Sequence, residues 1–361
     1  MFFVVWLLLT IPAFMFGMQT TIPGLSDDAF REWVQSYKIE EITHNGGRVF
    51  ALDFNEKTNS LLVATDKGLL KMNCSNNVIE QTGVTSEIFT LATSDEGAYF
   101  ITANQELFSW DQNSDQCTVV HPRSGTYSLN SLAYNSVDKA LWCAYGVGSV
   151  MKIDQTGGVQ VLPIDNVEAI CDGPDNSLYV GTRNKDLQKW HIEESEYSKM
   201  LPIVTSYISL IRRDPIAGTL YLATEAPGAI VECAADLSNE KLISYAAFSD
   251  CSSTCSPSMP YALEQDYFSK LLCTISHRGE WNVYIFHPDN LNIKYAIPIS
   301  DKERKCAGDP RTSTFYIGSH NKIKILKPRC SYLSLISPRA YLIFKELLCI
   351  NSMQAVKGDQ A

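Results

Sequence analysis

Short apolar segments follow one another along most of the chain, each separated from the next by a cluster of Gly, Pro, Asn, Asp or Ser. The segments lack the 3.6-residue periodicity of an amphipathic helix, so the pattern predicts strands joined by tight turns. One of these strands is spelled nearly the same way seven times: LLVAT at 61, YFITA at 99, LWCAY at 141, LYVGT at 178, LYLAT at 220, LLCTI at 271 and FYIGS at 315. The copies start 38, 42, 37, 42, 51 and 44 residues apart. A period near 40 marks an array of supersecondary units.

Each copy is preceded by another apolar segment, VFALDF, IFTLAT, LNSLAY, VEAICD, ISLIRR, PYALEQ and, least clearly, KCAGDP. Turn sequences such as NEKTNS, SDEGA, GPDNS and DPIAGT lie between the two, so each pair reads as a hairpin. A third segment follows, such as LLKMN or LFSWD, and in most units a more polar fourth, such as VIEQTG at 78–83 or VQVLPI at 159–164. Four short antiparallel strands in about 40 residues make one blade of a β-propeller. The expected fold class is therefore all-β, a single β-propeller over residues 37–328 with seven four-stranded blades, or six if the weak seventh unit is not a blade.

The last unit stops after its third strand at Lys327-Pro328, and YKIEEIT at 37–43 is a strand without a unit. As the outer strand of the last blade it closes the ring and removes the open sheet edges. The repeated strand is apolar throughout because neighbouring blades cover both its faces. The small residue at its fourth position, Ala64, Ala144, Gly181, Ala223 or Gly318, lets adjacent sheets approach. Two segments stand outside the units. Residues 18–36 form an N-terminal extension in which FREWVQSY suits one or two helical turns on the ring. Residues 329–361 form a C-terminal tail that fits no unit, and an amphipathic helix and an aberrant terminal exon are equal readings of it.

Composition narrows the setting. A hydrophobic content of 45% with 19% charged residues suits a large buried core, and the net charge of −10 without a Lys/Arg block argues against nucleic acid. MFFVVWLLLTIPAFMFG, residues 1–17, reads as a signal peptide, with an uncleaved N-terminal anchor as the alternative, and no other stretch suits a membrane span. The expected location is secreted or in the lumen of the secretory pathway. Of eleven cysteines, Cys251 and Cys255 in a Ser/Pro-rich insertion are the disulfide candidate, whereas Cys143 and Cys273 read as buried inert thiols. Asn73 heads the one N-glycosylation sequon.

The innermost strands of a propeller surround a channel whose mouth is the usual ligand site. The second residues of the first strands are Phe50, Phe89, Asn130, Glu168, Ser209 and Tyr261, with Cys306 less certainly aligned. Three aromatic and three polar groups at one level describe an apolar-walled pocket with orienting groups. The six histidines fall in or after turns and read as surface residues. There is no G-x-S-x-G elbow and no phosphate loop, so no catalytic residues are assigned.

Family resemblances are partial. Trp110-Asp111 ends a third strand where the dipeptide of WD40 repeats sits, and Trp190-His191 lies in the equivalent place, although the Gly-His of WD40 blades is missing. TSDEGAYF at 93–100 resembles one degraded sialidase Asp-box. LLVATDKGLLKMN is similar to units of secreted ligand-binding propellers such as ommochrome-binding proteins, and of bacterial sensor propellers. Glu168 and Asn130 on neighbouring blades resemble part of the cation site of regucalcin-type lactonases and gluconolactonases. That resemblance implies a channel calcium or zinc ion, but the aligned set contains no Asp. Asp172, Asp214 and Asp309 come later in their strands, where turn chemistry accounts for them.

The expected function is binding without catalysis and without a cofactor. The mouth would take a small apolar or aromatic ligand, or the loops around it, including 249–259, would grip a protein partner. A metal-dependent lactonase and an intracellular WD40-like scaffold are the alternatives.

Overall fold

The computed structural model describes residues 26–329 apart from 122–128, 136–137, 146–148, 175–176, 192–195, 203–206, 215–216, 226–228, 239–240, 244–259, 267–268, 279, 301–304 and 310–311. The signal-peptide segment 1–17, Cys251 and Cys255, the 249–259 insertion and the tail beyond Arg329 lie outside the described residues. Seven four-stranded antiparallel sheets are present, and in each of the first six the strands are ordered outward as they occur in the chain. Blades 1 to 6 span residues 49–81, 88–121, 129–162, 167–202, 208–243 and 260–298. Blade 7 takes three strands from 305–327, and its fourth is β1 (Lys38–Thr43). The innermost strand of every blade touches those of both its neighbours, and blade 7 meets blade 1. The fold is a closed seven-bladed β-propeller, and the six-blade reading falls away.

Closure comes from β1 pairing antiparallel with Lys322–Lys327, in register from Lys38↔Lys327 to Thr43↔Lys322. The Lys327 ammonium lies 2.7 Å from Glu40 and the Lys322 ammonium 2.9 Å from Glu41. Neither chain end of the ring is left as an unpaired edge.

One packing rule repeats around the ring. The second strand of six of the seven blades directs a large side chain at the next blade's innermost strand, where an aliphatic residue receives it. The facing pairs Leu62 and Leu91, Tyr99 and Leu132, Trp142 and Ile170, Tyr179 and Ile211, Tyr221 and Leu263, and Tyr316 and Leu52 each share one apolar cluster. The second strands are buried end to end in blades 1, 3, 4 and 7, as two covered faces require. The small fourth residue has the expected job at two boundaries. A Cβ at Gly181 would sit 2.8 Å from Ile208 of the next blade, and one at Gly318 2.5 Å from Val49. Strand pairing shifts two copies by one residue. AYFIT (98–102) and LCTIS (272–276) are the true equivalents of LLVAT, so Ile101 and Ile275 fill the small position in blades 2 and 6.

The N-terminal extension carries α1 (Asp27–Gln35), longer than the two turns expected. Ser26 caps it by accepting the Ala29 N–H at 3.2 Å, and Asp27 and Asp28 oppose the positive end of the helix dipole. Its buried face, Phe30, Trp33 and Val34, packs with Tyr37 over blades 6 and 7. Phe30 stacks on Trp33 at 5.6 Å and Tyr37 on Phe315 at 6.2 Å, while the Tyr37 hydroxyl donates to the Ser313 carbonyl at 2.7 Å. No helix among the described residues is long and apolar enough to cross a membrane.

Candidate binding rim and channel throat

In blades 1 to 6 the pairing between the first two strands skips one residue near the start of the innermost strand. The skipped residues are Phe50, Phe89, Asn130, Glu168, Ser209 and Tyr261. Each is a β-bulge, a device that leaves one residue unpaired and re-aims its side chain. All six residues aligned from the sequence therefore share one backbone role at one rim. Blade 7 has no bulge: Cys306 pairs regularly with Ile317 and is buried. Its alignment with the six is corrected, since it matches the Leu52 position instead.

The rim residues form separate groups. Phe50 and Phe89 meet edge to face at 5.3 Å across the boundary of blades 1 and 2, with the Arg48 guanidinium 5.1 Å above Phe50. Phe89 is 40% exposed, a large apolar side chain held open to solvent. Glu168 accepts the Arg183 guanidinium, and Tyr207 donates its hydroxyl to Glu225 beside them. The carboxylate of Glu168 raises the pKa of Arg183 through that hydrogen bond. The Ser209 hydroxyl donates to the Ala223 carbonyl at 3.2 Å within its own blade. Tyr261 packs on Trp281 at 4.8 Å. Asn130 is placed by its backbone alone, and its side chain lies outside the described residues.

Below the rim the channel is charged. Arg212 of blade 5 lies 2.6 Å from Glu264 of blade 6, and Arg213 lies 3.1 Å from Asp172 of blade 4. Asp53 of blade 1 accepts the Thr93 N–H at 2.7 Å and the Thr93 hydroxyl at 3.0 Å. Asp53 and Arg212 stand on the innermost strands of blades 1 and 5, and the Arg212 charge works against the rise in the Asp53 pKa. The Arg212 side chain keeps 42% of its surface open on the innermost strand, as a group facing the channel does. The Glu264 charge raises the Arg212 pKa, and burial pushes both Asp53 and Glu264 above the usual carboxylate range. Asp53, Arg212 and Glu264 were not singled out from the sequence. Their signal was a charged residue three places after the bulge, as in ALDF, LIRR and ALEQ.

Asp214 and Asp309 close turns, Asp214 accepting the Ala217 N–H at 2.9 Å and Asp309 the Thr312 hydroxyl at 2.9 Å, whereas Asp172 pairs with Arg213. Two histidines correct the surface assignment, since His44 and His287 are both buried. Each is tucked by a backbone N–H donating to its Nδ1, from Gly46 at 3.1 Å and from Asp289 at 3.2 Å. Asn73 is exposed at the end of its strand, and its side-chain oxygen accepts the Ser75 N–H at 2.9 Å. The seven described cysteines are all thiols, with no disulfide among them. Burial pushes the Cys143 thiol far above its ordinary value and that of Cys171 up to about 12.

No protein-family model matches the sequence, and no curated protein matches it. Solved structures do match in fold. The Cps50 (Swd1) β-propeller domain of Myceliophteria thermophila is similar with a TM-score of 0.66 at 12% identity, over 79% of this chain and 98% of that one. A chain of the mitotic checkpoint complex is similar with a TM-score of 0.65 at 13% identity, over 86% of this chain and 97% of that one. At such identities the likeness establishes architecture alone: a seven-bladed β-propeller.

Proposed function

We propose that this chain is a non-enzymatic binding platform whose bulged rim takes a segment of a protein partner. The observation that carries the reading is the contrast between rim and throat. The rim holds Phe89 open beside Phe50 and Arg48, and about two blades away on either side the surface turns to the Tyr261/Trp281 pair and the Glu168/Arg183/Tyr207/Glu225 group. An extended segment with an apolar anchor and polar flanks suits that spread. A small apolar molecule suits it less, because the channel beneath is lined by Asp53, Arg212 and Glu264, whose charges apolar surface would have to displace from water. The lactonase alternative loses support because Glu168, its principal ligand, is committed to Arg183. The mitotic checkpoint complex, an assembly by its name, offers an analogy for a propeller among partners.

The N-terminal apolar run supports a place in the secretory pathway. Native mass spectrometry of the protein from a secretory host, before and after denaturation, tests the binding reading. The expected result is a protein or peptide partner lost at least tenfold in Phe50→Ser/Phe89→Ser. A co-purifying small molecule released on denaturation, and lost in the same variant, would replace the platform with a ligand carrier.

A further inference from the structure

The packing rule of the ring is broken at one boundary. Where blade 6 meets blade 7, the place held elsewhere by Leu62, Tyr99, Trp142, Tyr179, Tyr221 and Tyr316 is Cys273, and the facing aliphatic place is Cys306. Both members of one facing pair are cysteine, and neither cysteine occurs at these two places in any other blade. Their sulfurs lie 3.6 Å apart and both side chains are buried. A covalent bond needs about 2.05 Å, so the sulfurs have to close by roughly 1.5 Å. A pair of small side chains is a poor filler for a site that takes a tyrosine and a leucine elsewhere, yet it is the one combination that can join the two sheets covalently.

We propose that Cys273 and Cys306 are the sites of an inter-blade disulfide that locks blade 7 to blade 6. The cross-link falls at the boundary whose facing pair has the smallest side chains, and it ties down the blade built from both ends of the ring. In forming it, each thiol gives up its proton and the pair gives up two electrons to make one S–S bond. A small-molecule disulfide such as oxidised glutathione accepts them, its own S–S bond breaking to two thiols. Burial holds the Cys306 thiol well above its ordinary pKa, so the finished core is a poor place for thiolate attack. The bond therefore forms while blade 7 is docking and is sealed afterwards. The occurrence of the bond in cells rests on the secretory reading of the protein, whereas its geometry does not.

The test is peptide mapping of the full chain purified from a secretory host, alkylated under non-reducing denaturing conditions. The expected product is one cross-linked species holding the Cys273 and Cys306 peptides, lighter by two hydrogens than the separate pair. Full alkylation of both residues while other cysteines are paired would overturn the cross-link and leave the secretory reading standing. Full alkylation of all eleven cysteines would overturn both. Refolding of the reduced chain in a glutathione couple is the second arm. There the cross-linked peptide forms and the melting temperature rises relative to refolding in excess thiol, whereas Cys273→Leu/Cys306→Leu, which restores the residues of another boundary, shows no such difference. Cys306→Ala serves if the double variant does not fold. Refolded protein with both thiols free in the couple would sink the proposal irrespective of compartment.

Discussion

Two boundaries of the ring show the same architecture held in two ways. Blades 4 and 5 meet by the general rule. Tyr179 packs on Ile211, Gly181 lets Ile208 come close, and Arg213 reaches Asp172 across the gap. Blades 6 and 7 meet over Cys273 and Cys306, and the missing bulk is supplied from outside the repeat. Helix α1 lays Phe30, Trp33 and Val34 over the junction, Tyr37 donates to the Ser313 carbonyl, and the Asp266 carboxylate accepts the hydroxyls of Ser269 and Ser313. A repeat protein can therefore surrender its packing rule at one boundary provided another element covers the same surface. Such an element is then no appendage, because removing it uncovers the junction whose facing pair is smallest.

The largest expected effect tests that dependence. Trp33→Ala removes a buried aromatic from the junction and should cost about 3–5 kcal/mol in denaturant unfolding, the range for large-to-small core changes. A loss below about 0.5 kcal/mol, typical of surface sites, would show that blades 6 and 7 stand without the helix. Acid sharpens the same point. His287 sits edge-on to Phe30 at 5.6 Å, and burial lowers its pKa to about 4. Asp289 and Asp27 work against that lowering, and Lys270 and Lys241 add to it. The fold favours the neutral ring, so its full stability is present above the unfolded value of about 6.5 and is lost as pH falls from there toward 4. The loss is about 3 kcal/mol by linkage. Comparing wild type with His287→Gln between pH 7 and pH 4.5 isolates this group, and equal slopes for the two proteins would remove it from the junction. The smallest effect belongs to the regular boundary. Gly181→Ala places a Cβ against Ile208 and should cost about 1–3 kcal/mol, the range for overpacking. A neutral outcome would mean that blades 4 and 5 can part slightly without penalty.

Much of this architecture was legible in the chain because a propeller repeats its packing. A strand covered on both faces is spelled alike each time, so LYVGT, LYLAT and FYIGS announced the blades. The orphan strand at 37–43 announced the closure for the same reason, since the last unit lacked one member. What escaped was whatever depends on a single residue's register. A bulge is one unpaired residue, invisible in an alignment of strands, so six rim residues were found at one level without the reason for it, and unbulged Cys306 was aligned with them wrongly. The copies in blades 2 and 6 slipped by one because Ile101 and Ile275 replace the small residue that marks the fourth position. The throat was missed because Asp53, Arg212 and Glu264 belong to blades 1, 5 and 6, and only the curvature of the ring brings them to one channel. His44 and His287 read as surface residues in the sequence because a turn there says nothing about what packs over it.

The strand that closes the ring also sets a clock. Glu40 and Lys327 are 287 residues apart, yet their side chains meet at 2.7 Å. At a synthesis rate of 5–20 residues per second, β1 waits roughly 15–60 s after leaving the ribosome before its partner strand has been made. Throughout that wait β1 is a strand without a sheet, and the growing array ends in an edge that any passing strand could join. Completion of blade 7 thus waits for the synthesis of its last strand, and the nascent ring depends until then on whatever shields an unfinished sheet in the cell.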